Sequence, residues 1–383
     1  MATRSIHYLE KLVGFPTVSR DSNLELIGFV RAELEGAGAE CTLVASEDGR
    51  KANLFASLGP RQRPGIVLSG HTDVVPVEGQ AWTSDPFILR RSGERLHGRG
   101  SADMKGFIAC CLSLFQEAGA RALTTPLHLA LSYDEEVGCI GVRRLIDMME
   151  KMPARARFCI VGEPTSLQVV TAHKGKIGRN VLCKGLEAHS ALAPLAVNAV
   201  YLALDLIAEI RALQKEIAET GARDGDYEVA YTTLHAGNIA GGEVINIVPN
   251  RCSFDYEIRH LPQDDPTKIV DRIEREAERI RAVARKIHAG ADIVFRPTSS
   301  YPPLDTRPDS EVVSFVKALT LGNSTGKISF GTEGGLFQQR LGIPTVVCGP
   351  GNIAVAHKPD EYIETSQIAA CDAMLARLLT QLG

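Results

Sequence analysis

Five places in the sequence concentrate ionisable residues at or near the ends of predicted strands. They are residues 70–73, 98–106, 132–138, 160–165 and 349–361. Ligand sites in open α/β sheets form at the carboxyl ends of the strands. We therefore expect the polar side chains of these five places to converge.

The first place pairs His71 with Asp73, directly after the apolar run of residues 65–69. Two residues apart in an extended chain, these side chains share a face. A carboxylate in that position can hold the imidazole in the tautomer that a metal ion requires. A His-x-Asp pair is nevertheless common, and taken alone it also fits an ordinary structural role.

The second and third places contain Asp103 and the acidic run of residues 134–136. Glycines on both sides of Asp103 permit unusual turns, although a position at the start of a helix also fits a simple N-cap. Three adjacent carboxylates fit a solvated acidic turn. They also suit metal-dependent hydrolysis, in which one carboxylate binds a metal ion while its neighbour acts as general base.

A ligand set emerges when all five places are combined. Glu163 and His357 come from the last two, and with His71, Asp103 and Glu136 they provide two imidazoles and three carboxylates. This mixture suits zinc, cobalt or manganese. With one bridging carboxylate, five residues can serve two divalent ions. The three carboxylates leave part of that positive charge uncompensated, and the excess lowers the pKa of a bound water.

The composition is that of a globular protein. The 383 residues are 44% hydrophobic and 23% charged, with a formal net charge of −4. The length favours two domains, and the modest charge gives no reason to expect nucleic acid or an anionic membrane as partner. Residues 1–15 have the pattern of a surface helix rather than a signal peptide, and no segment approaches the ~18 apolar residues of a membrane span.

The cysteines indicate the redox compartment. There are nine, an odd number, and no Cys-x-x-Cys pair occurs. This usage predicts reduced thiols that pack as small apolar side chains in a cytoplasmic protein. Cysteine is therefore not expected among the metal ligands.

Helix and strand signals alternate through about the first 175 residues. Apolar residues at helical spacing predict a helix from about Ser22 to the glycines near position 36. Residues 65–69 and 127–133 predict strands, with a helix at 106–118 between them. This alternation favours an α/β layer with a largely parallel sheet.

Residues 176–290 predict a smaller inserted domain. Its order is β-α-β-β-α-β, which suggests a two-layer, ferredoxin-like α+β fold. The strands are predicted at residues 177–183, 229–234, 252–258 and 292–295, and the first helix at residues 197–215. The second helix begins at Pro266 and places Ile269, Ile273, Ile280 and Ile287 on one stripe. Residues 1–175 and 291–383 then form one discontinuous α/β domain.

The sequence resembles the metal-dependent aminoacylase and carboxypeptidase superfamily essentially from end to end. The segments that carry the resemblance are residues 70–76, 98–106, 133–138, 161–165, 173–175, 189–190, 330–335 and 349–361. Within the superfamily, residues 82–87, Asp134 and residues 331–335 are most similar to the acetylornithine deacetylase branch. The resemblance implies a di-metal peptidase-like catalytic domain, with residues 176–290 as a lid or dimerisation domain.

The resemblance also implies how the ligands are shared. Asp103 bridges two divalent ions, with zinc expected first and cobalt or manganese as alternatives. His71 and Glu163 complete one metal site, and Glu136 and His357 complete the other. A cis peptide bond is expected directly after the bridging aspartate.

Further roles follow from the same resemblance. Asp73 orients His71, and Glu135 is the general base. His189 stabilises the oxyanion and reaches the active site from the partner subunit of a homodimer, although a histidine placed there by chance remains an alternative. Arg259 holds the substrate's α-carboxylate, but its strand also fits a solvated polar face. Asn246 is a weaker candidate for substrate contact.

The reaction implied is hydrolysis of N-acetyl-L-ornithine to ornithine and acetate in arginine biosynthesis, by metal-activated water with Glu135 as base. Ala196, where a glycine is expected, and Asn250 depart from the family pattern and bear on the substrate only. Alternatives are a deacylase of another N-acyl amino acid, including succinyl-diaminopimelate, and a dipeptidase. A metal-binding protein without catalysis is a further alternative, which the intact ligand set and Glu135 argue against. No Gly-x-Ser-x-Gly elbow indicates a serine nucleophile.

Overall fold

The computed structural model describes residues 2–383, which fall into two compact units. The first unit contains the chain up to Ala172 together with Leu304–Lys327 and Thr332–Gly383. The second contains His173–Pro303 and Ile328–Gly331. The insert predicted at residues 176–290 lies inside the second unit, which extends further at both ends.

The α-helices occupy these ranges in chain order: α1 (Ala2–Val13), α2 (Leu24–Gly36), α3 (Gly106–Ala118), α4 (Val142–Met149), α5 (Ala199–Thr220), α6 (Pro266–Ala284), α7 (Glu311–Thr320), α8 (Gly334–Leu341) and α9 (Thr365–Leu382). Shorter helical turns are Ser101–Lys105, Ser190–Leu195 and Ile353–Val355.

The strands are β1 (Glu40–Ala45), β2 (Ala52–Leu58), β3 (Ile66–His71), β4 (Arg90–Ser92), β5 (Arg95–His97), β6 (Leu127–Ser132), β7 (Phe158–Pro164), β8 (Val169–His173), β9 (Gly175–Lys184), β10 (Thr233–Gly241), β11 (Arg251–His260), β12 (Asp292–Tyr301), β13 (Leu304–Asp305), β14 (Thr325–Ile328), β15 (Thr345–Gly349) and β16 (Tyr362–Glu364).

The large sheet has the order β1-β2-β6-β3-β7-β15-β8-β13, with β14 paired to β8. Its central strands β6, β3, β7 and β15 run parallel to one another, whereas β1, β2 and β8 pair antiparallel. Every residue of β3, β6, β7 and β15 is buried, as expected for strands covered on both faces. The predicted α/β class with a largely parallel sheet is confirmed.

Helices of the first unit cover this sheet as the apolar spacing predicts. Helix α2 buries Leu26, Ile27, Val30 and Leu34, the face predicted from the sequence. Helix α3 spans the predicted residues, and nearly all of its side chains are buried in the core that α1 and α9 also line. A helix this apolar belongs in the middle of a layered domain.

The second unit has the predicted β-α-β-β-α-β order. Its antiparallel sheet is arranged β10-β11-β9-β12, and α5 and α6 share one core with it. Asn198 caps α5 and Asp265 caps α6, each accepting backbone N–H groups of the first turn, and Pro266 opens α6.

Two details of the insert differ from prediction. The strand predicted at residues 229–234 begins only at Thr233. The Lys174 ammonium donates hydrogen bonds to the backbone carbonyls of Val229 and Tyr231, so these carbonyls do not pair with a neighbouring strand. Ile287 lies beyond the end of α6 and is 52% exposed, so it is not part of the buried stripe.

All nine cysteines lie within residues 2–383 and are free thiols, and all except Cys41 are buried. Within the same residues, no helix has both the length and the hydropathy of a membrane span.

Candidate metal centre

The carboxyl ends of the central parallel strands carry most of the predicted ligands. His71 is the last residue of β3, and Glu163 is the next-to-last of β7. Glu135 and Glu136 follow β6, and His357 follows β15. Because these strands are neighbours and parallel, their ends meet at one edge of the sheet, which brings residues far apart in sequence together.

Asp103 lies between the two histidines. Its Oδ1 is 3.0 Å from Nε2 of His71, and its Oδ2 is 3.2 Å from Nε2 of His357. One carboxylate therefore faces both imidazoles with separate oxygens, the arrangement expected of a ligand shared by two ions.

The other two carboxylates divide between the histidines. Oε1 of Glu163 is 3.8 Å from Nε2 of His71, and Oε2 of Glu136 is 3.1 Å from Nε2 of His357. Ligand atoms of His71, Asp103 and Glu136 all lie within 4.8 Å of one another, as do those of His71, Glu135 and Glu163. The structure thus brings together all five predicted ligands and the predicted base.

The turn that carries Asp103 is not the N-cap that one alternative predicted. Residues Ser101–Lys105 form a separate helical turn in which Asp103 has φ −120° and ψ 92°, and Lys105 occupies the cap position of α3. The peptide bond between Asp103 and Met104 is cis, as expected.

Charge and burial perturb the ligands strongly. Burial opposes a positive His71, but hydrogen bonds with Asp103 and Asp73 outweigh it and raise the pKa well above the usual value. Hydrogen bonds with Asp103 and Glu136 raise the pKa of His357 to about 10. Burial, with Asp103 nearby, raises the pKa of Glu163 well above normal. These shifts arise because acids and imidazoles are crowded into one largely buried space, which is suited to cations.

Glu135 sits beside this cluster with a different environment. Its Oε1 accepts a hydrogen bond from the buried thiol of Cys139 at 3.3 Å. Burial, reinforced by the charges of Glu136 and Glu333, raises its pKa to about 8. A carboxylate whose pKa lies close to the working pH can take up a proton and give it back.

Asp73 contacts His71 most closely through its backbone. The Nδ1 of His71 lies 2.9 Å from the backbone carbonyl of Asp73, and its carboxylate is 3.6 Å away. That carboxylate accepts the N–H groups of Glu135 and Glu136 and the hydroxyl of Ser19. Because a carbonyl oxygen can only accept, Nδ1 carries a proton, and Nε2 is the ring nitrogen that faces Asp103 and would face a metal ion.

The residues present fit a divalent metal centre. Oε1 of Glu136 is buried and has no hydrogen-bond partner within residues 2–383. A buried carboxylate oxygen without a partner costs free energy unless a cation satisfies it. Three carboxylates and two imidazoles are the donor set that zinc, cobalt or manganese accepts.

A family model described as peptidase family M20/M25/M40 matches residues 67–381. The chain belongs to this family. An acetylornithine deacetylase from Myxococcus xanthus is 36% identical over 374 residues, covering 96% of this chain and 95% of the relative. The protein is a metal-dependent amidohydrolase.

Two solved structures share the fold of this M20 member. An M20 family metallo-carboxypeptidase from Sulfolobus solfataricus has a TM-score of 0.77 at 20% identity and covers 98% of both chains. A Bacillus subtilis protein titled a dinuclear metal binding peptidase from the M20 family has a TM-score of 0.66 at 16% identity, covering 100% of this chain and 98% of that one.

The three remaining predicted residues lie in the second unit of the M20 chain. His189 is exposed and caps the turn Ser190–Leu195, its Nδ1 accepting the N–H of Ala191. Asn246 is exposed, and its carbonyl accepts the N–H of Ser190.

Arg259 belongs to β11, and its guanidinium donates to Glu257 at 3.0 Å and to the hydroxyl of Tyr301. Arg259 and Glu257 lie on the same polar face of β11, as sequence alternation predicted, and the Arg259 side chain is 27% exposed.

Two buried carboxylates near the centre escaped prediction. Glu333 is 1% exposed and accepts hydroxyls of Ser132 and Ser69, and burial raises its pKa to about 7. Glu361, also 1% exposed, pairs with Arg99. Both occur in segments that carried the family resemblance, which was the available signal.

Proposed function

We propose that the protein hydrolyses N-acetyl-L-ornithine to L-ornithine and acetate, a step of arginine biosynthesis in the cytoplasm. The observation that carries the proposal is Asp103 set between His71 and His357 with Glu135 beside them. The substrate follows from the near full-length similarity to an acetylornithine deacetylase.

The centre is suited to two divalent ions, zinc first and cobalt or manganese as alternatives. His71 and Glu163 would hold one ion, Glu136 and His357 the other, with Asp103 shared between them. When bound, such ions polarise the amide carbonyl and bring the pKa of water toward neutrality.

Glu135 moves the proton. Its carboxylate takes a proton from the attacking water and later delivers it to the nitrogen of the leaving amine, so that no covalent intermediate with the enzyme is needed. Burial and the neighbouring carboxylates raise the pKa of Glu135, which favours proton transfer near neutral pH. Asp73 keeps the base in place by accepting its backbone N–H.

The second unit supplies recognition. His189, whose side chain is exposed, donates to the developing oxyanion in a homodimer in which it serves the partner's centre. Arg259 binds the α-carboxylate by exchanging its contact with Glu257 for the substrate, and Asn246 adds a polar contact. The second unit, which includes residues 176–290, acts as the lid and dimerisation domain of the catalytic unit.

The test is amide hydrolysis by metal-reconstituted protein. N-acetylornithine is compared with N-acetylmethionine, N-acetylglutamate and succinyl-diaminopimelate, with Glu135→Ala as control. Fast turnover of N-acetylornithine that vanishes in the control is expected. Preference for another substrate would overturn the substrate and keep the centre, whereas activity surviving in Glu135→Ala would refute the role of the base.

A further inference from the structure

One short stretch, residues 357–361, carries both the ligand His357 and the buried carboxylate of Glu361. Oε1 of Glu361 accepts the backbone N–H groups of Ala102 and Asp103 at 2.9 and 3.1 Å, and Oε2 accepts that of Gly100 at 3.1 Å. The Glu361 carboxylate therefore accepts hydrogen bonds from three backbone N–H groups in and next to the turn that presents Asp103.

Arg99 connects the two ends of this stretch. Its guanidinium donates to Oε2 of Glu361 at 2.7 Å and to the amide oxygen of Gln80 at 2.5 Å. The amide nitrogen of Gln80 in turn donates to the carbonyl of His357 at 3.0 Å. Arg99 is 1% exposed and lies over the ring of Trp82, so its direction is fixed by packing as well as by charge.

The stretch depends on outside contacts for its conformation. His357 and Asp360 have φ of 61° and 56°, which is unfavourable for residues with a side chain. Such conformations persist where neighbours hold them. Here Thr83 donates to the carboxylate of Asp360 at 2.9 Å, and His97 contacts the carbonyl of Asp360 at 3.1 Å.

The two halves of the centre are supported unequally. His71 and Glu163 project from paired strands of the large sheet, where the ladder fixes the backbone. His357 is 50% exposed and lies outside any strand, so its position follows from the contacts just described. A loosened contact should therefore affect the His357 half first.

We propose that Arg99, Glu361 and Gln80 form a positioning unit that sets His357 relative to Asp103 and determines how tightly the His357 half retains its metal ion. The inference rests on the proposed two-ion centre. The unit touches neither substrate nor reacting atoms, and it acts through the two ligands that it holds.

The test is titration of metal-depleted full-length protein with Zn²⁺ by calorimetry, for wild type, Gln80→Leu, Glu361→Gln and Gln116→Leu. Gln116 is the matched control because its amide also donates to a backbone carbonyl, that of Glu33, at 2.9 Å. This contact is remote from the metal centre. Gln80 is only partly buried, so Gln80→Leu should fold even where Glu361→Gln, which strands a buried guanidinium, does not.

We expect two binding events in wild type and in Gln116→Leu. In Gln80→Leu one event should weaken by about tenfold or more while the other is unchanged, and the metal-free variant should keep a cooperative thermal unfolding transition. Two wild-type-like events in Gln80→Leu would overturn the positioning unit and leave the proposed function intact. Fewer than two events in wild type would refute the two-ion centre itself, and with it this inference.

Discussion

The backbone N–H of Glu135 donates a hydrogen bond to Oδ1 of Asp73 over 3.1 Å. The same carboxylate accepts the N–H of Glu136 and the hydroxyl of Ser19. Asp73 is therefore a fixed point for the turn that presents both a ligand and the base, while its own backbone carbonyl faces His71. Loss of its charge should disturb the centre without disturbing the sheet.

For Asp73→Asn we expect kcat/KM to fall by about 10- to 100-fold, the range for residues that support metal ligands. An amide retains one acceptor and cannot serve all three donors. Ser19→Ala, which removes only one of those donors, is the control and should lose much less. Equal losses in the two variants would contradict the assignment of the turn to Asp73.

The turn is also tied from the other side by an ion pair. Nζ of Lys51 is 2.5 Å from Oδ1 of Asp134, with side chains 11% and 17% exposed, and it donates to the carbonyl of Ser19 as well. Removing one partner of a buried pair leaves the other uncompensated, so Lys51→Met should lower the free energy of unfolding by about 3 kcal/mol. Urea unfolding measures this value.

A double-mutant cycle separates the energy of the ion pair from effects on packing. Lys51→Met combined with Asp134→Leu should cost less than the sum of the single changes, because neither charge is then stranded. Strict additivity would show that the two side chains do not act as a pair.

Metal binding should release protons. Hydrogen bonds with Asp103 and Glu136 hold the pKa of His357 at about 10 in the metal-free protein, so the imidazole is protonated at neutral pH. A metal ion needs the unprotonated nitrogen. Affinity for Zn²⁺ should therefore rise with pH, by about tenfold per pH unit for each proton released, until the pH approaches the pKa.

Competition with a chelator between about pH 6 and 8 checks the sign and slope. Comparison with His357→Asn isolates the contribution of this imidazole, since that variant has one proton fewer to displace. An unchanged slope in the variant would mean that His357 does not carry the displaced proton.

The packing of the strand that carries Glu163 should matter to the metal centre as much as the charges do. A Cβ added to Gly162 would come within 2.0 Å of the ring of Phe107, next to Glu163. Gly162→Ala should destabilise the protein by about 3 kcal/mol and weaken metal binding, because the strand must shift. Gly28→Ala is the control: nothing lies within 4 Å of its Cβ, it is inside α2, and it should stabilise by about 1 kcal/mol. Thermal or urea unfolding would measure both changes in the free energy of unfolding.

The convergence of three of the predicted ligands could be expected from the sequence, because each of these three follows or ends a strong apolar run and parallel strands bring such ends together. His71, Glu136 and Glu163 are of this kind. Helices α2 and α3 were equally predictable, since their apolar spacing is unambiguous.

Other features depend on partners that are distant in sequence. Glu361 binds the N–H of Asp103 across 258 residues, and Glu333 meets Ser132 across 201. Nothing local distinguishes these acids from solvated ones. The late start of β10 has the same origin, because Lys174, far upstream, captures the carbonyls of the predicted strand.

Cys139 provides the most selective probe of the base. Its thiol donates to Oε1 of Glu135 at 3.3 Å, and its backbone N–H bonds to the carbonyl of the same residue at 2.9 Å. Cys139→Ala removes the donor without placing a β-branched side chain at this position, where φ is 54°, so the carboxylate loses a partner that fixes its direction. A hydrogen bond to a charged group is worth about 1.5 to 3 kcal/mol, and we expect kcat to fall by about tenfold with KM unchanged. Cys139→Ser, which restores a donor, should recover most of the loss in steady-state kinetics on N-acetylornithine. If Cys139→Ala and Cys139→Ser behave alike, the thiol fills space and does not position Glu135.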